Sequence, residues 1–251
     1  GLYSNYLTLT AAVNTILSKL FSAFTASLGN LNVDAGEDVE KKYFIFKTLS
    51  FMNFWTYSFC AVCFLVLFDP FIYVWIGKKF IMNFPTECAI VCSFLITGLQ
   101  ETVGTHRAAY GLFYKGRYRP IFSVILNIFF SILFVKILPE DYGVVAVLLG
   151  TIISNIAVSW WFDAYLVYKY AFQKKPWKFY KEFWLRFIFT IILGISLRSL
   201  SEKLPIEGWV LVIIDGILVT FIYNMIFIGL FRKKEEYNYL KNNILRIIRR
   251  K

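Results

Sequence analysis

Histidine is almost missing from this chain of 251 residues: His106 is the only one, which rules out a histidine-based metal site. Cysteine is scarce too, with Cys60, Cys63, Cys88 and Cys92 the full set. Cys60 and Cys63 form a C-x-x-C, but inside an apolar run with no histidine or charge beside it. Small apolar packing residues fit that setting better than a redox or zinc centre, and no metal is expected. Acidic residues are few, 16 against 27 Lys and Arg, for a formal net charge of +11. What the chain has in quantity is apolar residues: 58% are hydrophobic and the mean hydropathy is +0.60, which places it in the membrane class. The surplus of positive charge lies beside the ends of apolar runs. That placement argues for orientation and contact with anionic lipid, not for a nucleic-acid partner.

Seven apolar runs divide the sequence: Gly1–Leu28, Tyr43–Phe68, Cys88–Leu112, Ile121–Leu138, Tyr142–Tyr168, Phe183–Leu200 and Trp209–Phe231. Each is about 18 residues or longer, and at about 1.5 Å per residue such a helix matches a hydrocarbon core about 30 Å thick. Helices are required because every backbone polar group in hydrocarbon needs an internal partner. The expected fold is therefore all-α: a polytopic integral membrane protein with about seven transmembrane helices.

The cations sort onto alternate loops. Nineteen fall on one side, among them Lys41, Lys42, Lys115, Arg117, Arg119, Lys174, Lys175 and the cluster from Arg232 to Lys251. Five fall on the other, Lys78, Lys79, Lys136, Arg198 and Lys203. Cation-rich loops stay cytoplasmic, so the C-terminus is expected in the cytoplasm and the first residue outside. The chain begins with Gly1 on that outer side and without a signal peptide, which gives the expectation of one half of a longer protein.

The outer loops are short and leave no external domain for an active site. The longest, Asp69–Glu87, is expected to begin where Pro70 breaks its helix, with Tyr73 and Trp75 at the interface. Four units are expected: a transmembrane bundle over 1–170, an interfacial cytoplasmic linker over 171–184, two further transmembrane helices over 185–231, and a basic tail over 232–251. The linker mixes aromatics with lysines. In the tail, Tyr237, Leu240, Ile244 and Ile248 recur at helical spacing, as in an amphipathic helix on an anionic leaflet; a disordered basic tail is the other reading.

Polar stripes mark faces that avoid lipid. In the first run Thr8, Thr10, Asn14, Thr15, Ser18, Lys19, Ser22 and Thr25 share one half of the helical wheel, the half for protein or water. Leu9, Val13, Ile16, Leu17, Leu20 and Phe24 share the other, the half for lipid. The fourth run places Ser123, Asn127 and Ser131 four apart, and the fifth Thr151, Asn155, Ser159 and Asp163. Such groups serve either as interhelical hydrogen-bond glue or as the lining of a hydrophilic cavity, and three polar-faced helices favour the cavity. A charge at mid-bilayer costs about 2.5–3.5 kcal/mol, so Lys19 with Glu101 is one expected pair. Arg107 and Asp163 either line the cavity or reach out to the interface. A cation in a wet cavity suits a phosphate headgroup.

The opening GLYSNY, the turn DPFIYVWIG, the stretch GTHRAAYGLFYKGRYRPIFSVILNI and the later GTIISN resemble polysaccharide biosynthesis proteins. These are the O-antigen and exopolysaccharide flippases of the multidrug/oligosaccharidyl-lipid/polysaccharide exporter superfamily. The resemblance covers essentially the whole chain as the C-terminal half of such a protein. It implies two bundles of six helices plus two extra helices, with this chain supplying helices eight to fourteen. It implies movement of an undecaprenyl-pyrophosphate-linked oligosaccharide across the bacterial cytoplasmic membrane by alternating access. The partners are then that lipid-linked oligosaccharide, membrane lipids and an N-terminal half. No cofactor is expected beyond coupling to a sodium or proton gradient, and Lys19 and Arg107 become the cationic cavity residues. The expected cavity set is Asn14, Ser18, Lys19, Ser22, Glu101, Arg107, Asn127, Asn155 and Asp163.

Two other functions compete. A multidrug exporter of the same superfamily would use an acidic, aromatic pocket, for which Glu101 is available; the basic and hydroxyl-rich stripes favour an anionic sugar lipid. A membrane-embedded glycan ligase or polymerase needs a reactive constellation at a membrane face, and the short outer loops and lone His106 offer none, so no enzyme is expected.

Overall fold

The computed structural model describes residues 2–34 and 38–249, with side chains described over 2–23 and 38–242. Among the described residues ten α-helices follow one another: α1 (Leu2–Asp34), α2 (Val39–Ile76), α3 (Phe84–Leu99), α4 (Glu101–Ala109), α5 (Arg119–Ile137), α6 (Gly143–Ser154), α7 (Trp161–Val167), α8 (Trp177–Ser201), α9 (Gly208–Phe231) and α10 (Glu235–Arg249). Two π-helical segments, Asn155–Trp160 and Tyr168–Phe172, flank α7 and join it to α6 into one continuous rod. No strand occurs among the described residues. The fold is all-α, as the runs imply.

Six helices among the described residues are long and apolar enough to cross a membrane: Val39–Ile76, Phe84–Ala109, Tyr114–Ile137, Glu140–Phe172, Trp177–Ser201 and Gly208–Phe231. They match the second to seventh runs and are compatible with a multi-pass membrane protein. The first run forms α1, which is long enough at 33 residues but is not among the six. Its hydroxyl and amide side chains thin its hydropathy, and Phe24 and Thr25 lie beyond its described side chains.

α2 is the hub. It packs along α3, α8 and α9 and touches α1, α4 and α10. Phe46, Phe51, Phe54, Tyr57, Ala61, Leu65, Phe68 and Ile72 are buried along it, so it buries one face against the bundle and another against α8 and α9. α8 and α9 thus share the core of the preceding helices. Of the segment expected as a linker, 171–184, only 173–176 lies outside helices; Gln173 turns the chain in the left-handed region (φ 52°), and Trp177–Trp184 forms the first turns of α8.

Pro70 does not end its helix. α2 runs through it to Ile76 and stops at Gly77, whose φ of 101° suits a residue without a Cβ. Next to the proline, Arg198 Nη1 of a neighbouring helix donates to the Leu65 carbonyl at 3.3 Å. Asp69, assigned above to an outer loop, is therefore a helical residue.

The tail is helical. Tyr237 and Leu240 pack on the core, Tyr239 meets Phe44 edge-on at 5.3 Å, and Lys47 lies 3.6 Å from Glu236. Ile244 and Ile248 lie outside the described side chains.

The outer faces are apolar. α5 leans on α6 and leaves Ile125 and Phe129 each 57% exposed, and Ile217 and Phe221 of α9 are 63% and 66% exposed. Rows of large apolar side chains on this scale are foreign to a water-facing surface and suit hydrocarbon.

Candidate functional site

α4 is the element on which the site is organised. It is a short helix offset from α3 at Gln100, whose Nε2 donates back to the Ile96 carbonyl (2.9 Å) and across to Asn155 Oδ1 (2.8 Å). It packs against α1 on one flank and α7 on the other, with α2 behind. Its buried face carries Thr102, Val103, Thr105 and His106. His106 is fully enclosed by the rings of Phe46, Tyr110 and Phe172, and its Nδ1 lies 2.8 Å from the Thr102 carbonyl. Glu101 stands half-buried at the start of the helix. Around Gly104, one turn on, no atom lies within 4 Å of where a Cβ would sit, so this side of α4 is open.

On the first flank, α1 does not follow the lipid-and-cavity division of its wheel: Ile16 and Leu20 of the lipid half are exposed, as expected, but Thr10 of the other half is buried and Leu9, Val13 and Leu17 turn inward. Leu9, Val13 and Leu17 pack on the bundle core, and Tyr6, Thr10 and Phe21 are buried with them. The exposed positions are mixed: Ser4, Thr8, Thr15, Lys19 and Ser22, and with them Leu7, Ile16 and Leu20. The strip that meets the neighbouring helices is covered whether apolar, as at Tyr6 and Phe21, or polar, as at Thr10. Asn14 turns inward, where Tyr57 donates to its Oδ1 at 3.1 Å. Ser18 is half-buried, and Ser22 bonds the Lys19 carbonyl of its own helix (3.0 Å). Lys19 and Glu101 form no ion pair within 4 Å among the described residues, so the pairing expected for them is not made.

On the second flank the charges are knotted together. Asp163 of α7 accepts from Arg107 Nη1 on Oδ1 (3.1 Å) and faces Arg119 Nε across 3.3 Å on Oδ2. Arg119 also donates to Ser159 Oγ from Nε and Nη2, at 3.1 and 3.0 Å. Two guanidiniums share one carboxylate, so the knot carries a net positive charge. Arg107 and Asp163 are thus paired inside the bundle and do not reach out alone. Phe113 lies 5.6 Å from the Arg107 guanidinium and covers its other side.

The four-residue ladder of the fifth run comes apart. Thr151 Oγ1 accepts from Asn127 Nδ2 (3.0 Å), which also reaches Ser154 Oγ (3.4 Å). Asn155 turns to Gln100, while Ser159 and Asp163 turn to the arginines. The π-helical turns over Asn155–Trp160 cause this: the wider spiral carries Ser159 off the line of Asn155. Side chains support the wide turn. Trp161 Nε1 donates to the Ala157 carbonyl (2.7 Å), Tyr180 of α8 donates to the Trp161 carbonyl (2.7 Å), and Trp160 packs on Tyr180, Phe183 and Trp184. Asn127 and Asn155 are accordingly bound into interhelical bonds, the glue reading of the two open for them.

Of the expected set, Lys19 and Ser22 of α1 and Glu101 at the start of α4 lie on the first flank, and Arg107 and Asp163 belong to the knot on the α7 flank. Asn14 and Asn155 are tied into the packing, and Asn127 sits away on α5. Arg119 was missed as a site residue because it reads as one more loop cation; its position directly before Pro120 at a helix start was the available signal. A second charged cluster was missed altogether. Arg198 of α8 binds Asp69 of α2, Glu87 of α3 (2.5 Å) and Glu202 (3.0 Å). Tyr6 of α1 joins it by donating to Glu87 (3.2 Å) and accepting from the Met82 amide (3.1 Å).

No protein-family model, no curated protein and no solved structure matches this chain. What the arrangement defines is an all-helical protein compatible with repeated membrane crossing, with a polar open face on α1 and α4 and a cationic knot beside it.

Proposed function

We propose that this chain is one bundle of a bacterial flippase for a lipid-linked oligosaccharide. In this reading it lies in the cytoplasmic membrane with α1 as a seventh span and the basic ends cytoplasmic, and it carries an undecaprenyl-pyrophosphate-linked oligosaccharide to the outer leaflet. The observation that carries the reading is the α1–α4 side: Thr8, Thr15, Lys19 and Ser22 share an exposed polar strip of α1, bordered by exposed Ile16 and Leu20, and α1 packs against α4, where Glu101 is half-buried and Gly104 is open. Hydroxyls suit sugar hydroxyls, and a pyrophosphate is drawn to Lys19 and to the surplus charge of the Arg107–Asp163–Arg119 knot. The polyprenyl tail stays in hydrocarbon outside. A second bundle closes the face and supplies the other wall, and switching between its two sides gives alternating access.

The test is complementation of a flippase-deficient strain by the full-length protein bearing Lys19→Ala or Arg107→Ala. Both variants are expected to insert normally and to lose most surface polysaccharide. Normal export by both would sink the reading. Glu101, which has no ion-pair partner among the described residues, favours the multidrug exporter as the second reading. Drug resistance without restored polysaccharide would decide for it.

A further inference from the structure

A groove of about 370–380 Å³ would be unremarkable by size, since ligand sites run from about 300 to 1,000 Å³; the one between α5 and the α6–α7 rod, at ≈ 380 Å³, is distinguished by its lining. Its walls are Phe122 and Leu126 from α5 and Val158 and Trp161 from the rod. At one end stand Lys115 and Arg119. The groove opens outward: Phe122 is 60% and Trp161 45% exposed.

The charged end is built to hold an anion. Arg119 is oriented by Ser159 and Asp163 through Nε and Nη2, which leaves Nη1 with no protein partner among the described residues. Lys115 is exposed and rests on the face of Tyr170, 4.0 Å from the ring centre. Arg117 stands beside them, stacked on Tyr114 and Tyr118 at 4.4 and 4.7 Å. Among the described residues, the one acid in contact with these cations is Asp163, which Arg107 already shares. α5 begins here with no side-chain cap, so its first amides add to the attraction for negative charge.

We propose that this groove binds one anionic phospholipid of the leaflet that meets the basic loops. Its phosphate sits on Lys115 and Arg119, and one acyl chain lies along Phe122, Leu126, Val158 and Trp161. A free phosphate would use only the charged end; the apolar length of the groove is what commits the site to a lipid. The groove lies on the Arg119 side of Asp163, and the open α1–α4 face on the Arg107 side. Asp163 therefore connects a lipid-occupied site to the face proposed for cargo. The inference needs the chain to be in a bilayer but does not need it to transport.

The test uses the full chain reconstituted in vesicles, with insertion checked first by flotation. Phosphatidylglycerol or phosphatidylcholine carrying a diazirine on the acyl chain is photolysed, and the labelled peptides are mapped. Phosphatidylglycerol is expected to label Phe122–Leu126 or Ala157–Trp161 at least about fivefold more than phosphatidylcholine, the ratio one basic side chain supports near an anionic headgroup. Lys115→Gln, which leaves the fold untouched because Lys115 is exposed, is expected to lower that preference severalfold. Arg119→Gln is expected to abolish it, and Val158→Trp to block labelling by both lipids. Equal labelling by the two lipids, or a preference unchanged in Lys115→Gln, overturns the proposal. So does complete competition by millimolar inorganic phosphate, which would mark a plain anion site. These results are read without any export assay, so they stand or fall separately from the flippase reading.

Discussion

Arg198 Nη1 lies 2.5 Å from Oε2 of Glu87, a carboxylate with no solvent exposure at all. With Asp69, Glu202 and Tyr6 added, this one guanidinium joins α8 to α1, α2 and α3 at a single point.

Arg198→Ala leaves Glu87 buried without a cation. Losing one partner of a buried pair costs about 3–5 kcal/mol. The variant is expected to melt markedly lower in detergent, by fluorescence or circular dichroism. Adding Glu87→Gln to it should recover part of the loss, because the uncompensated charge is gone. A melting point equal to that of the parent would show that the cluster contributes nothing.

Two glycines should respond in opposite ways. A Cβ at Gly150 would lie 2.6 Å from the Ser131 backbone nitrogen, so Gly150→Val must push α5 off α6. Overpacking of that kind costs about 1–3 kcal/mol or more. Gly104→Ala meets nothing within 4 Å and should hold or gain up to about 1 kcal/mol from helix propensity. Parallel melts of the two variants check this. If the open face is used for cargo, Gly104→Leu should reduce export while leaving the melt in place.

Asp163→Asn removes the charge shared by two arginines. A thermal shift is expected, and a double-mutant cycle with Arg107→Gln should give a coupling of at least about 1 kcal/mol, the scale for residues in one network. Strict additivity would mean that the knot is not an energetic unit.

The tail offers a local test. Tyr237→Ala with Leu240→Asp removes the two side chains that dock α10 on the core. Limited proteolysis should then cleave within α10 at much lower protease, with the melt of the remaining helices unchanged. Lys47→Ala is expected to loosen α10 in the same assay, because Lys47 lies 3.6 Å from Glu236 and both side chains are partly buried.

The apolar runs made six spanning-length helices legible because length and hydropathy are local properties. The split of the third run at Gln100 and the passage of α2 through Pro70 were not local. Around the second, Arg198 of α8 binds Asp69 beside the proline, a partner 129 residues away in sequence. At the site, the polar stripe of α1 was readable, but the strip that neighbours cover was not: Thr10 is buried while Ile16 is exposed. Which strip is covered depends on where α4 and α2 lie, and periodicity is silent on that. Arg107 and Asp163 were singled out as charges in apolar runs, while their common partner Arg119 looked like any other loop cation.

A π-turn amounts to one residue more than an α-helix needs over the same length. The rod over Glu140–Phe172 can therefore spare a residue at Ala157, which is exposed. Deleting Ala157 tightens Asn155–Trp160 to ordinary helix and leaves Asp163 facing the same two arginines. The same deletion in α5 or α9 would turn everything beyond it by about 100°. Among the described residues only this rod carries slack in its thread, stored one helical turn from the carboxylate that both arginines share.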